Sequence, residues 1–127
     1  MTETHDFFTP GTQLLVDHRG GKGMRDPALL EQVLTRALTD RGLPPQQVMI
    51  QPAEGRDGVT GVALLSAGHV AVQSWADQDY MSLDLLVPGE GAAKQLADDL
   101  ARALLPDWTQ IRAVLRNDFT PLPPAAA

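Results

Sequence analysis

The side chains that could move protons or hold a cation are few and scattered. His5, His18 and His69 lie too far apart in sequence to form a spaced metal motif. Asp77, Asp79 and Asp84 could invite a cation, but the same acids suit a solvated strand junction. The chain has no cysteine. That excludes a disulfide scaffold, a zinc ribbon, an iron–sulfur centre and a thiol nucleophile together. There is no P-loop, no G-x-G-x-x-G after a strand and no G-x-S-x-G elbow. Gly20, Gly21 and Gly23 suggest a phosphate loop at first sight. The helix behind them opens with Asp26, however, and its carboxylate would repel an anion placed there.

Bulk properties narrow the field further. The chain has 127 residues, 16 acidic and 10 basic side chains and a net charge of −6. This length supports one domain, and roughly two-thirds of the unfolded surface can be buried without a metal or disulfide staple. An acidic chain without a basic cluster is a poor binder of nucleic acid or anionic membranes. The longest nearly apolar run, Val62 to Val72, is broken by Ser66, Gly68 and His69 and is too short to span a bilayer. The first six residues lack the basic and apolar regions of a signal peptide, so a cytoplasmic location is expected.

The elements that must position these residues follow from periodicity. Residues 1–10 read as a polar, flexible arm and 119–127 as a Pro/Ala-rich extended tail. Gln13 to Asp17 predicts a buried strand before the glycine loop. Asp26-Pro27 opens a helix, with the acid as cap and proline at the first position. Leu30, Val33, Leu34, Ala37 and Leu38 share one face of it, and Gly42 ends it. Gln47 to Ile50 predicts a second strand. From Val59 the period becomes two, with Ala67-Gly68 placed as a tight turn. Val62, Leu64, Val70 and Val72 share one parity, and Ala63, Leu65, Ala71 and Trp75 the other. Met81, Leu83, Leu85 and Val87 line one face of the next strand. Leu96, Leu100, Ala103 and Leu104 face inward on a second helix. Ile111 to Arg116 makes the last strand. The order β-α-β-β-β-α-β predicts an α+β two-layer sandwich, with a mainly antiparallel sheet and two helices on one face. The second sheet face, expected to carry Ala63, Leu65 and Trp75, is a candidate interface or site.

Gly58-Val59-Thr60-Gly61-Val62, Ala67-Gly68-His69, Gln73-Ser74-Trp75-Ala76-Asp77, Tyr80, Asp84 and Gly89 together resemble the prokaryotic S-adenosylmethionine decarboxylases of spermidine biosynthesis. Those proteins carry G-V-S-G-V, E-S-H, H-T-W-P-E and G-Y-x-x-V-D-x-F-T-C-G in the same order. The opening Gly11 to Asp17 also looks like their first strand. The resemblance spans residues 11–118, without a gap from Gly58 to Gly89. It implies a protomer that pairs into a four-layer αββα homodimer.

The resemblance also implies chemistry that this chain has lost. In the family a serine attacks its own preceding peptide bond, and the ester opens to leave an N-terminal pyruvoyl group that serves as electron sink. The serine of E-S-H falls on Gly68, which has no hydroxyl. The histidine of H-T-W falls on Gln73, which cannot shuttle protons near neutral pH. The cysteine of T-C-G falls on Pro88. His69, Trp75, Asp84 and Gly89 persist, and Asp77 stands where the family has glutamate. No catalytic set is intact, and no pyruvoyl, metal or other cofactor is expected. Ser66, Trp75 and Asp77 are the candidates for a remnant pocket. The resulting expectation is a non-catalytic relative with a binding or regulatory role. Its partner would be a nucleoside, a polyamine or an active paralogue. The alternatives are a partner-binding module with a closed pocket and a decarboxylase of altered chemistry.

Overall fold

A computed structural model describes residues 12–89 and 91–116. The expected arm at 1–10 and tail at 119–127 lie outside them. Along the chain run β1 (Thr12–Arg19), α1 (Pro27–Asp40), β2 (Gln47–Pro52), β3 (Val59–Leu65), β4 (Gly68–Trp75), a 3-10 turn (Ala76–Gln78), β5 (Tyr80–Leu86), α2 (Ala92–Leu104) and β6 (Trp108–Leu115). The strands form a single sheet in the order β2-β3-β4-β5-β1-β6. Every neighbouring pair is antiparallel. The expected α+β class with an antiparallel sheet and two helices is observed, but four strands rather than three lie between the helices, because the hairpin at Ser66-Ala67 makes two strands, β3 and β4. Among the described residues no helix is long and apolar enough to cross a membrane.

Local sequence explains both helices. The Asp26 carboxylate accepts the Leu29 N–H at 3.0 Å, and Pro27 fills the first turn, where no partner for its missing N–H is needed. Leu30, Leu34 and Leu38 recur every fourth residue and are all buried. Burying each such side chain contributes about 1.5–3 kcal/mol. On α2 the buried stripe is Ala93, Leu96, Ala97, Leu100 and Leu104. Ala103, expected inward, is exposed, because from Leu96 the stripe steps by four to Leu100 and Leu104, leaving Ala103 at its margin. Leu105 adopts a left-handed conformation, φ 53°, and Pro106 prevents a further turn.

The two helices pack on one sheet face, α1 against β2 and β3 and α2 against β1 and β5. Under them lie Leu14 and Val16, Ala63 and Leu65, Val70 and Val72, and Met81, Leu83, Leu85 and Val87. The other face is open. Its central rows, read from β2 to β6, are Met49, Val62, Ala71, Asp84, Leu15, Arg112 and Gln51, Thr60, Gln73, Ser82, Asp17, Gln110.

This corrects the expected face assignment. The β3–β4 turn is Ser66-Ala67, and Gly68 is the first residue of β4, paired with Leu65. A loop of two residues pairs odd positions with even ones. Ala63 thus shares a face with Val70, and Val62 with Ala71. Ala63 and Leu65 lie in the core, and Val62 and Leu64 lie on the open face with Trp75.

Candidate functional site

The residues singled out by sequence fall into two groups at opposite ends of β4. Gly68 to Trp75 spans seven residue steps, about 23 Å at the ~3.3 Å rise of a strand. Ser66, Gly68 and Pro88 sit at the hairpin end. Gln73, Trp75 and Asp77 sit at the other. Within one protomer the structure does not gather Ser66 with Trp75 and Asp77. His69 stands on the open face between Leu64 and Leu86, one row from the hairpin.

At the hairpin end the backbones of β4 and β5 approach closely. A Cβ added to Gly68 would lie 2.0 Å from the Leu86 carbonyl oxygen and 3.3 Å from the Val87 Cα. Gly68 is not among the glycines with positive φ. Glycine is thus required there for space rather than for the turn conformation that its position in the sequence suggested. Any side chain, serine included, needs the backbone to move. Beside the hairpin is a depression of about 450 Å³ lined by Gly42 to Gln46, Leu65 to Ala67 and Pro88. No ionisable side chain lines it, so it holds neither acid nor base. Ser66 is an exposed turn residue at its rim.

A polar and aromatic chain occupies the other end of the open face. Gln73 Nε2 donates to Thr60 Oγ1 at 2.6 Å, and Gln73 Oε1 accepts from Arg56 Nη2 at 2.6 Å. Arg56 also donates to the Ser74 carbonyl. Its guanidinium lies 4.5 Å from the Trp75 ring centroid, a cation–π contact. Trp75 stacks on Tyr80 with centroids 5.3 Å apart and planes 16° from parallel. The Tyr80 hydroxyl donates to Asp17 Oδ1 at 2.6 Å. That bond, with burial and the negative charge of Asp17 behind it, pushes the Tyr80 pKa up to about 12. The phenol stays protonated at neutral pH and acts as a donor, not a base.

Other residues in these regions serve the fold. Asp77 is exposed on the 3-10 turn. Its charge acts on Arg25, which pairs with Asp57 through bonds of 2.8 to 3.1 Å. The Ser74 hydroxyl is buried, accepts the Val59 N–H at 2.9 Å and donates to the Met24 carbonyl at 2.7 Å. It has no base beside it among the described residues. Asp84 makes no ion pair within the described sheet, because Leu15 separates it from Arg112 by two strand spacings, about 10 Å. Arg116 Nη1 donates to Gln13 Oε1 at 2.8 Å. The glycine loop packs against the end of α2. A Cβ on Gly21, whose φ is 99°, would lie 2.6 Å from the Leu104 carbonyl oxygen. Among the described residues no group of three His, Asp or Glu side chains could hold a metal ion.

Arg56 is the residue of this candidate site that sequence reasoning missed. It lies in an irregular turn between β2 and β3, where no periodicity exists to assign a face. The only signal is its place between Gly55 and Gly58, which lets the loop fold back over the sheet end.

Comparison with known proteins agrees with this fold. A curated S-adenosylmethionine decarboxylase proenzyme from Thermomicrobium roseum is 23% identical over 92 residues, covering 72% of this chain and 79% of the relative. The proenzyme from Methanococcus maripaludis is 30% identical over 61 residues, 47% of this chain and 50% of its own length. The one from Prochlorococcus marinus is 28% identical over 79 residues, 62% of each. In fold, the crystal structure of the adenosylmethionine decarboxylase from Aquifex aeolicus superposes with a TM-score of 0.74 at 18% identity, over 90% of this chain and 96% of that one. A family model described as S-adenosylmethionine decarboxylase matches residues 12–117, from the first strand through the last. The sheet order, the glycine-flanked hairpin and the Trp75–Tyr80 end thus sit on one continuous match, and the chain belongs to the S-adenosylmethionine decarboxylase family.

Proposed function

We propose that this chain is a non-catalytic member of its family, retained for a binding or regulatory role linked to polyamine metabolism. One observation carries the reading. The position that matches the family's self-cleaving serine is Gly68, and the Leu86 carbonyl occupies the space a side chain would need. The residues present do not fit a pyruvoyl group, since neither the hydroxyl nor the room for it exists. Gln73 supports the same reading, because its amide is tied to Thr60 and Arg56 and cannot shuttle a proton. So does the hairpin depression, where Pro88 brings no acid. The test is intact mass spectrometry of the purified protein. A single uncut chain is expected, and two fragments, one beginning with pyruvoyl, would sink the proposal. Assays with S-adenosylmethionine, ornithine and arginine are expected to show no released carbon dioxide.

The protein acts, in this reading, as a homodimer with a nucleoside or polyamine ligand or an active relative as partner. A second reading, a partner-binding module whose pocket has closed, is favoured by Arg56. Its guanidinium covers one side of Trp75 and Tyr80 stacks on the same ring, so a planar ligand must displace one of them. Calorimetry with S-adenosylmethionine and with spermidine separates the two. Heat of binding with either ligand supports the first, and none with both supports the second.

A further inference from the structure

The two edges of the sheet differ in how they are protected. β2 is short, lies under α1 and ends at Pro52. β6 is longer and carries no proline, and every one of its residues except Ile111 is exposed. Its outer backbone groups face no described strand, because β1 pairs only its inner side. Trp108, Thr109, Ile111 and Val114 favour extended structure, and Arg112 is the single charge. Native sheets ordinarily blunt such an edge with several charges, proline, a bulge or a covering helix. Among the described residues none of these devices protects β6.

The sequence of β6 is also complementary to itself. In an antiparallel pairing of two copies, directly opposed residues must lie on the same sheet face. A two-fold axis at Ile111 satisfies this. It opposes Trp108 to Val114, Thr109 to Ala113, Gln110 to Arg112 and Ile111 to itself. The first is an aromatic–β-branched pair on the open face. The third brings Arg112 to a glutamine on the partner copy, where Arg112 already reaches Gln110 of its own strand at 3.5 Å. The next register of equal length, centred on Arg112, opposes the two guanidinium groups and is disfavoured by like charge. Registers farther off pair fewer residues.

We infer that β6 is a self-association edge, pairing antiparallel with β6 of a second copy about a two-fold axis at Ile111, so that two sheets become one. The contact is made through the backbone edge of β6, which borders the open face, and the inference does not rest on the loss of catalysis.

The absence of native cysteine makes the register directly readable. A full-length Ile111→Cys variant is expected to form a disulfide with its own copy under oxidant, and Arg112→Cys, whose two copies stand diagonally about 7–8 Å apart, is not. Thr109→Lys with Ala113→Lys places like charges opposite each other across the axis, on exposed positions that leave the core and the open face untouched. It is expected to lower the particle mass twofold by light scattering. Thr109→Lys with Ala113→Asp makes the same contacts attractive and is expected to restore the wild-type mass. Circular dichroism is expected to show both variants folded. The inference is overturned if the Arg112→Cys chain cross-links in place of the Ile111→Cys chain, if neither does, or if the double-lysine chain keeps the wild-type mass. The last of these outcomes would show that no second copy covers this edge.

Discussion

Gly68 and His18 show how single residues tie this fold to its chemistry. Gly68→Ser would return the hydroxyl of the family's self-cleaving position, but its Cβ meets the Leu86 carbonyl oxygen at 2.0 Å. Overpacking of this kind costs about 1–3 kcal/mol. The variant is expected to melt lower than wild type and to stay uncut by mass spectrometry, because Gln73 and Pro88 still supply no proton transfer. Cleavage of this variant would show that the backbone yields and that the serine alone was missing. His18 makes a separate statement about pH. It points under the helices with 1% of its surface exposed, and its Nε2 has no hydrogen-bond partner among the described residues. Burial pushes its pKa below the ordinary histidine value, against the opposing pull of Asp17. The unfolded chain therefore takes up the proton first. The neutral ring's contribution is complete above the unfolded pKa of about 6.5 and is lost as pH falls toward the lower folded value. The thermal midpoint is expected to drop between pH 7 and pH 5. His18→Leu should flatten that drop, since it removes both the titration and an unpartnered polar atom. An unchanged pH profile in this variant would assign the drop to other groups.

Elements were legible in the sequence wherever a local rule also governed the tertiary environment. Asp26-Pro27 announces α1 because capping is a contact between residues three apart, and the structure contains that contact at 3.0 Å. Asp26→Ala is accordingly expected to destabilise the protein by about 1 kcal/mol in urea unfolding with an unchanged m-value. A loss near zero would mean that solvent serves the free amides as well. Met81, Leu83, Leu85 and Val87 announce the buried side of β5 because a strand alternates by itself. What alternation cannot give is which side of one strand matches which side of the next. Val62 and Leu64 look as apolar as Val70 and Val72, and only the Ser66-Ala67 turn decides that the first pair lies on the open face. The family resemblance placed Gly68, Gln73 and Trp75 in one site-bearing segment. Sequence order could not show that β4 holds them at opposite ends. Nor could it show that Arg56 leaves the β2–β3 turn to cover Trp75, because that contact depends on a loop with no period.

At the scale of the whole molecule, the open face is the feature left without a covering layer among the described residues. Leu15, Met49, Leu64 and Val114 expose 36, 54, 41 and 43% of their surface there, and they cluster toward the hairpin end. Apolar side chains grouped in this way mark an interface. Asp84 and Arg112 stand in the same row as Leu15 and cannot reach each other within one sheet. A second sheet laid face to face with its two-fold axis along β1, midway between them, would bring the acid of one copy over the base of the other, twice. In the homodimer proposed above this face would be the contact, with the helices outside and the sheets inside. Leu15→Glu with Leu64→Glu places charge on two exposed positions of the face without entering the core under the helices. This variant is expected to stay folded by circular dichroism and to lose the face-to-face contact, with a twofold fall in mass by light scattering. The Ile111→Cys cross-link should survive in the same background, because Ile111 lies on the helix-covered side of the sheet with Val16, opposite the altered side chains. Wild-type mass in the double-glutamate chain would remove the open face as the dimer surface. Loss of the cross-link alongside the mass would show that the edge and the face belong to a single contact rather than two.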